Sequence, residues 1–178
     1  VTLERLVGYF FEQDKKIADL KGRKEMDPQL AKTQGGNVFK GKVIVLIDSS
    51  SGSAAEIFAR MMQLENRGVV IGDTSAGAVM QSRYVGMDAG SETSIAYGMN
   101  MTNADVIMSD GKSIEHVGVK PDVVSIPTGA DLAARRDPAL AEALKAAGLT
   151  MSPEEAGKLF APEPYIKRTT NIAFSFDF

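Results

Sequence analysis

Between Val43 and Met62 the spacing of apolar positions changes once, and abruptly. Val43, Ile44, Val45, Leu46 and Ile47 form an unbroken apolar run, short and largely β-branched, which suits a strand covered on both faces. A central strand is therefore expected here. Asp48 to Gly52 carry only small or turn-favouring side chains. From there Ala54, Ile57, Phe58 and Met61 fall at i, i+3, i+4 and i+7, the spacing of a helix with one apolar stripe. Arg67-Gly68 reads as the helix end, with a cation in the last turn and a glycine just past it. Val69, Val70 and Ile71 read as a second central strand. A strand-helix-strand unit of this length predicts a right-handed crossover and parallel pairing.

The flanking chain is less regular. Thr2 reads as the cap of a first helix with Glu4 in its first turn and Leu3, Leu6, Val7 and Phe10 as its stripe. Lys16 to Leu20 predicts a short strand, and the polar, glycine-containing stretch 21–42 a mobile surface connector. Positions 93–126 read as strands: Thr93 to Met99, Ala104 to Met108, and Val123 to Ile126, with Asp110-Gly111 as a tight hairpin turn and Lys112 solvated beside it. Asp137 and Pro138 predict the start of a helix with the stripe Leu140, Ala143, Leu144 and Ala147, closed by Gly148. Ser152 to Glu155 read as a capping box opening a shorter helix to about Phe160. In the tail, Ile172, Phe174, Phe176 and Phe178 alternate with smaller or polar residues, a pattern that suits either an added strand or a loose terminus.

Ser53 stands where the strand hands over to the helix. A serine there is commonly a helix cap. The same position also aims a hydroxyl over the C-terminal edge of a sheet, beside free amides and the positive end of the helix dipole, where an oxyanion is stabilised. Strand, sharp turn and exposed serine is the arrangement that nucleophilic hydrolases use. Thr74 to Gly77 form a small-residue turn after the second strand, at the same edge. They fit a substrate pocket and close packing equally well.

Four motifs in order carry a resemblance. Gly52-Ser53-Ala54-Ala55-Glu56-Ile57 and Val69 to Gly77 resemble the nucleophile region of the C-terminal processing (tail-specific) proteases. Asp110 to Asp122 resemble that family's Gly-x-x-x-Glu-x-x-Gly-Val-x-Pro-Asp segment, and Arg136-Asp137-Pro138-Ala139-Leu140 its closing helix. The resemblance implies an α/β fold with a Clp protease/crotonase-like core, parallel central strands, a β-rich extension and C-terminal helices. It implies a serine endopeptidase with Ser53 as nucleophile, Glu115 as an orienting carboxylate, and Ala54, Gly52, Thr74 and Gly77 around the oxyanion and substrate. No cofactor and no metal are implied. The partner is a peptide or protein substrate, and a homo-oligomer is open.

The lysine that serves as base in the tail-specific branch would fall at position 78, which is Ala78. Thr74 to Val79 resemble more closely the branch of the tricorn core protease and the retinoid-binding repeat proteins. There the base is a histidine from a segment before the nucleophile, and no histidine precedes Ser53. His116, the chain's one histidine, follows Glu115 and is open either as a base or as a solvent-facing neighbour of that carboxylate. Gln81 and Ser82 lie close to where the lysine branch places an assisting glutamine. Residues 1–160 are thus expected to be the C-terminal part of a catalytic domain and 161–178 a tail. The upstream Asn-x-Gly-Gly turn and any PDZ domain would be missing, and the isolated chain inactive. A non-catalytic member that binds a peptide or apolar ligand is the alternative.

Composition narrows this further. The 178 residues are 44% hydrophobic, enough for one cored domain. With 20 basic and 23 acidic residues the net charge is −3, without the basic run that nucleic-acid binders show. There is no cysteine, hence neither disulfide nor thiolate metal site. No apolar stretch reaches the roughly 20 residues of a membrane span. A periplasmic or secreted location is implied by the resemblance alone, any signal peptide lying upstream of Val1.

Overall fold

Four of the five residues of the first apolar run form β3 (Ile44–Ile47), which pairs in parallel with β4 (Val69–Gly72) in the register Ile44↔Val69 to Ile47↔Gly72. The chain is described here by a computed structural model that covers residues 2–91 and 93–160. Between these strands runs α2 (Ala54–Leu64), and β4 pairs in parallel with the two-residue β7 (Val123–Val124). The sheet order is β3-β4-β7, so β4 is the central strand. Its Val70 and Ile71 are fully buried, whereas Leu46 of β3 is 44% exposed. The expectation that the 43–47 run is central and covered on both faces is corrected: among the described residues it forms an edge.

A second, antiparallel sheet has the order β2-β1-β6-β5, built from β1 (Lys15–Gly22), β2 (Gln29–Ala31), β5 (Gln81–Ala89) and β6 (Ile95–Met108). One core joins the sheets. Val7, Ile17, Val106 and Met108 meet Ile57, Met61 and Met62 of α2 and Ile47 and Val70 of the parallel sheet. After β7 come α3 (Gly129–Ala133), α4 (Pro138–Ala147) and α5 (Pro153–Leu159), with α4 packed on β3, β4 and α5. The Asp137 side chain accepts the Leu140 amide at 2.8 Å and Ser152 caps α5 with Glu155 reaching back, as the turn residues predict. This is the mixed α/β architecture expected, with parallel strands at its centre, a β-rich extension and C-terminal helices.

Several local expectations are revised. Helix α1 (Thr2–Val7) contains Thr2 and stops before Phe10. Helix α2 ends at Leu64, and the left-handed residue past it is Asn66 at φ 51°, not Gly68. Arg67, instead of lying in the last turn, donates to the carbonyls of Phe10 and Gly41, both at 3.0 Å, and to that of Phe39. It thereby fastens the 39–41 segment to the body. The stretch 21–42 accordingly holds the end of β1, all of β2 and the 3-10 turn Gly35–Asn37, rather than acting as a free connector. The two strands expected at 93–99 and 104–108 are one 14-residue strand, β6. Its partner β5 was not foreseen. At Asp110-Gly111 the chain does turn tightly, but only a single bridge, Ile107↔Ser113, follows. The alternating tail lies outside the described residues.

The β5–β6 ribbon has two unlike faces. Residues that pair directly across antiparallel strands share a face. The pairs Val85↔Met99, Met87↔Tyr97 and Ala89↔Ile95 make one face apolar, bounded by the pair Arg83↔Met101. On the other, the Tyr84 ring lies against Gly98, where an added Cβ would come within 2.4 Å of the Tyr84 hydroxyl.

Gly72 closes β4 at φ 133°, and a Cβ there would stand 1.9 Å from the Ile47 carbonyl oxygen. Gly111 has φ 76° with nothing within 4 Å. Gly72→Ala should therefore lose more than about 2 kcal/mol and Gly111→Ala only about 1 kcal/mol, as read from urea unfolding of each variant.

Candidate active site

Because β3, β4 and β7 run parallel, the segments that follow them emerge at one sheet edge, where ligands of open α/β sheets collect. After β3 the side chain of Asp48 folds the turn. Its Oδ1 accepts the Ser50 amide at 2.9 Å and the Ser51 hydroxyl at 3.1 Å, and Ser51 Oγ accepts the Asp48 amide at 3.0 Å. Two residues later Ser53 sits at φ 58°, ψ −125°. L residues avoid this region unless their surroundings force it. The chain thus turns sharply enough to start α2 at Ala54.

Ser53 is exposed, and its side chain makes no cap hydrogen bond. The helix start is satisfied by other groups. The Ser53 carbonyl accepts the Glu56 and Ile57 amides at 3.0 and 3.2 Å. The Glu56 carboxylate reaches back to the Ser53 amide at 3.0 Å, and that amide also donates to the Ala78 carbonyl at 2.9 Å. The Ala54 amide, first of the helix, donates to no acceptor among the described residues. Of the two uses of a serine at this position, the geometry is that of a presented hydroxyl beside an open amide at a helix N-terminus.

Beneath this turn lies a buried hub that the sequence reading did not single out. Glu56 is fully buried. Its Oε1 accepts the Ser75 hydroxyl at 2.5 Å and the Gly77 amide at 2.6 Å, and its Oε2 accepts the Ala78 amide at 2.9 Å as well as that of Ser53. Ser75 continues the chain of contacts: its Oγ accepts the Val119 amide at 2.6 Å, and its own amide donates to the Val119 carbonyl at 3.1 Å. The one signal in the sequence was the Ser-x-x-Glu spacing of 53–56, a capping box by pattern. Both sides of the box are in place, but only the glutamate's half is a full hydrogen bond: the Ser53 side chain faces the Glu56 amide without bonding it, and that amide donates to the Ser53 carbonyl.

Burial alternates along 75–80, with Ser75, Gly77 and Val79 buried and Ala76, Ala78 and Met80 exposed. Gly77, at φ 69°, is buried, and a Cβ there would stand 2.9 Å from the amides of Val117 and Gly118. Thr74 is partly buried, with its amide on Asp73 Oδ1 at 2.7 Å. Gly52 is partly exposed, and an added Cβ would meet the Glu56 carboxylate only at 3.9 Å.

Glu115 is partly buried, and its Oε2 accepts the amides of Val79 and Met80 at 2.6 and 3.2 Å. Its Oε1 lies 3.8 Å from Nε2 of His116, whose side chain is 91% exposed. The pair is solvent-facing on the histidine side. Ala78, at the position of the lysine, is exposed. Asp122, quoted only as part of a motif, takes the Val70 amide on Oδ2 at 2.8 Å and Gln63 Nε2 on Oδ1 at 2.9 Å. It tethers the 110–122 motif to β4 and α2.

A hollow of about 270 Å³ opens at this edge, lined among others by Asp48, Ser51, Asp73 and Ser125. A larger one, about 570 Å³, lies at the opposite end of the strands beside Ile44, Gly68 and Val69 and contains no residue of the Ser53 turn. The smaller touches the turn at Asp48 and Ser51, and Ser53 lines neither. Among the described residues no group of three or more His, Cys, Asp or Glu is placed to hold a metal ion.

The sequence profile of Peptidase family S41 matches residues 3–125. A carboxy-terminal-processing protease of Bartonella bacilliformis is 32% identical over 113 residues, which is 61% of this chain and 24% of that protein. Among solved structures, a protein from Parabacteroides merdae ATCC 43184 superposes with a TM-score of 0.64 at 19% identity, over 82% of this chain and 46% of the other. The photosystem II D1 C-terminal processing protease gives 0.55 at 21% identity, over 68% of this chain and 30% of that one. The tricorn protease gives 0.52 at 19% identity, over 79% and 13%. At these identities the superpositions establish the fold alone. The chain spans about a quarter of the length of the Bartonella relative and less than half of each of these structures.

The backbone strain at Ser53 yields a stability prediction. Ser53→Gly should be more stable than Ser53→Ala by about 1 kcal/mol, because glycine adopts φ 58° without a Cβ penalty. Urea unfolding of the two variants, both lacking the hydroxyl, measures the difference.

Proposed function

This chain belongs to peptidase family S41, and from that premise we propose that it is part of a serine endopeptidase in which Ser53 is the acylated nucleophile. One observation carries the reading: an exposed serine at φ 58° whose side chain makes no cap hydrogen bond, next to an Ala54 amide without an acceptor among the described residues. Ser53 Oγ attacks the carbonyl carbon of the scissile peptide bond while its proton passes to a base. The carbonyl oxygen becomes an oxyanion, which the Ala54 amide and the N-terminus of the 11-residue helix α2 stabilise. Collapse of this intermediate expels the amine with the proton and leaves an acyl-serine, which water then hydrolyses.

The remaining roles follow from position. Gly52 and Thr74 border the acylation site. Gly77 sets the path of the chain that borders it, and Glu115 orients the base through the oxygen that does not bind Val79 and Met80. The base and a second oxyanion donor come from outside residues 1–160, which form the C-terminal part of the catalytic domain, with 161–178 as its tail. Peptides or proteins are the substrates. A periplasmic or secreted setting fits the carboxy-terminal-processing relative. A second reading, a non-catalytic member that holds a peptide, is favoured by exposed Ala78 and by a Ser53 hydroxyl that has no base within reach among the described residues.

Labelling decides between them. A fluorophosphonate should modify Ser53 in the full-length protein, and Ser53→Ala should lower peptide turnover by on the order of 10⁴-fold or more. An intact, folded full-length protein that takes no label at Ser53 removes the peptidase reading. The isolated 178-residue chain should show no peptide turnover, since base and second donor are lacking. Turnover by it in a protease-free preparation would contradict that division of the site.

A further inference from the structure

The deepest charged group among the described residues is one that the proposed chemistry leaves without a role. Glu56 is 0% exposed and is met by four donors: the Ser75 hydroxyl and the amides of Ser53, Gly77 and Ala78. Both oxygens accept two bonds, the pattern that a deprotonated carboxylate satisfies and an amide or a protonated acid does not. An apolar residue in its place would leave the Gly77 and Ala78 amides without the acceptor they have here, so the carboxylate and its donors hold together as one unit. Its donors belong to the two segments that shape the candidate site, the Ser53 turn and residues 75–78.

We infer that Glu56 is a positioning residue for Ser53: its carboxylate fixes the nucleophile's backbone so that the hydroxyl faces outward and the Ala54 amide stays unclaimed. This rests on the reading of Ser53 as nucleophile. By occupying the Ser53 amide, Glu56 leaves Ala54 as the first free N–H of α2. By holding Gly77 and Ala78 from the same two oxygens, it sets the distance between the helix start and the strand that borders it. Ser75 couples the arrangement to Val119, so the Gly118-Val119 segment reports on the same carboxylate. An ordinary N-cap would have used Ser53 Oγ for the helix. Here the Glu56 amide donates to the Ser53 carbonyl at 3.0 Å and the Ala55 amide to that of Gly52 at 3.3 Å, so the hydroxyl is not needed as their acceptor.

The test uses the full-length protein, with Glu56→Gln as the first variant and Ser75→Ala, which removes one donor and keeps the carboxylate, as the second. Each is assayed well below its melting temperature, so that rates refer to folded molecules. Fluorophosphonate labelling of Ser53 should fall about 100-fold in Glu56→Gln and by a smaller factor in Ser75→Ala, because small displacements of reacting groups carry losses of that order. The loss should lie in the maximal labelling rate and in kcat, with the half-saturating concentration and KM within about 3-fold of wild type. Hydrogen exchange at the Ser53, Gly77 and Ala78 amides should quicken alongside.

A merely structural brace would lower the melting temperature and leave the folded molecules' rates alone, and wild-type labelling by folded Glu56→Gln overturns the inference. If that variant does not fold, wild-type labelling and exchange in Ser75→Ala overturn it equally. Failure of the wild-type protein to label at all sinks the peptidase reading instead. The exchange rates of the three amides then still decide whether Glu56 holds the turn.

Discussion

A carboxylate taken out of water is tolerated only where hydrogen bonds replace its hydration. Glu56 meets that condition with three backbone amides and one hydroxyl drawn from two separate parts of the chain: the Ser53 turn, and the 75–78 segment after β4. Each donor depends on the others being in place, since a half-satisfied buried charge is worse than none. The geometry of the sheet edge is consequently set as one unit. It reaches a third part of the chain through Ser75 to Val119, and onward through Asp122 to β4 and α2.

The same dependence explains where the backbone is strained. Ser53 and His116 have positive φ without being glycine, and Gly77 and Gly118 have it as glycines. An added Cβ on Gly118 would fall 2.4 Å from the Ser75 carbonyl oxygen, and one on Gly77 would fall 2.9 Å from two backbone amides. These residues face one another across the hub. Unfavourable dihedrals persist only where surrounding contacts over-determine them, and the bonds to Glu56 and between Ser75 and Val119 are such contacts. The glycines of the Thr-Ser-Ala-Gly and Val-Gly-Val motifs are thus accounted for by close approach of two segments, with the candidate nucleophile as the beneficiary.

How much of this was legible beforehand depended on range. Elements written by local periodicity were readable: the helix at 54–64, the strand at 69–72, and the capped helices at 138–147 and 153–159 each carry their own spacing and end signals. What failed was whatever depends on partners far along the chain. Val43–Ile47 is as apolar as a central strand, yet it lies at the edge because β4 stands between it and β7, an order no local run encodes. In β5, Val85, Met87 and Ala89 do alternate, but Gly86 and charged Arg83 and Asp88 dilute the signal. The strand is legible only once β6 lies opposite it. At the site the exposed serine followed from strand-turn-helix order, whereas Glu56 looked like one more polar helix residue. Its importance comes from Ser75, Gly77 and Ala78, which a helical pattern at 54–64 says nothing about.

The arrangement also constrains how a base can reach Ser53. Ala78 has its amide on Glu56 and its carbonyl on the Ser53 amide, so its backbone is fixed alongside the nucleophile while its short side chain points to solvent. A long basic side chain at that position would start right beside the hydroxyl, as in the lysine branch that this chain departs from. Here the same position is left open. Glu115 is tied by one oxygen to the next two amides, Val79 and Met80, and keeps the other at the rim of that opening. A carboxylate held rigidly at the edge of a vacated base position suits a base that arrives from another part of the structure and needs orienting, because a second carboxylate oxygen can hold an imidazole N–H in one tautomer. With Ser53 read as the nucleophile, position 78 supplies no base, since its side chain ends at Cβ, and the proton of Ser53 Oγ has to pass to a group on another part of the protein.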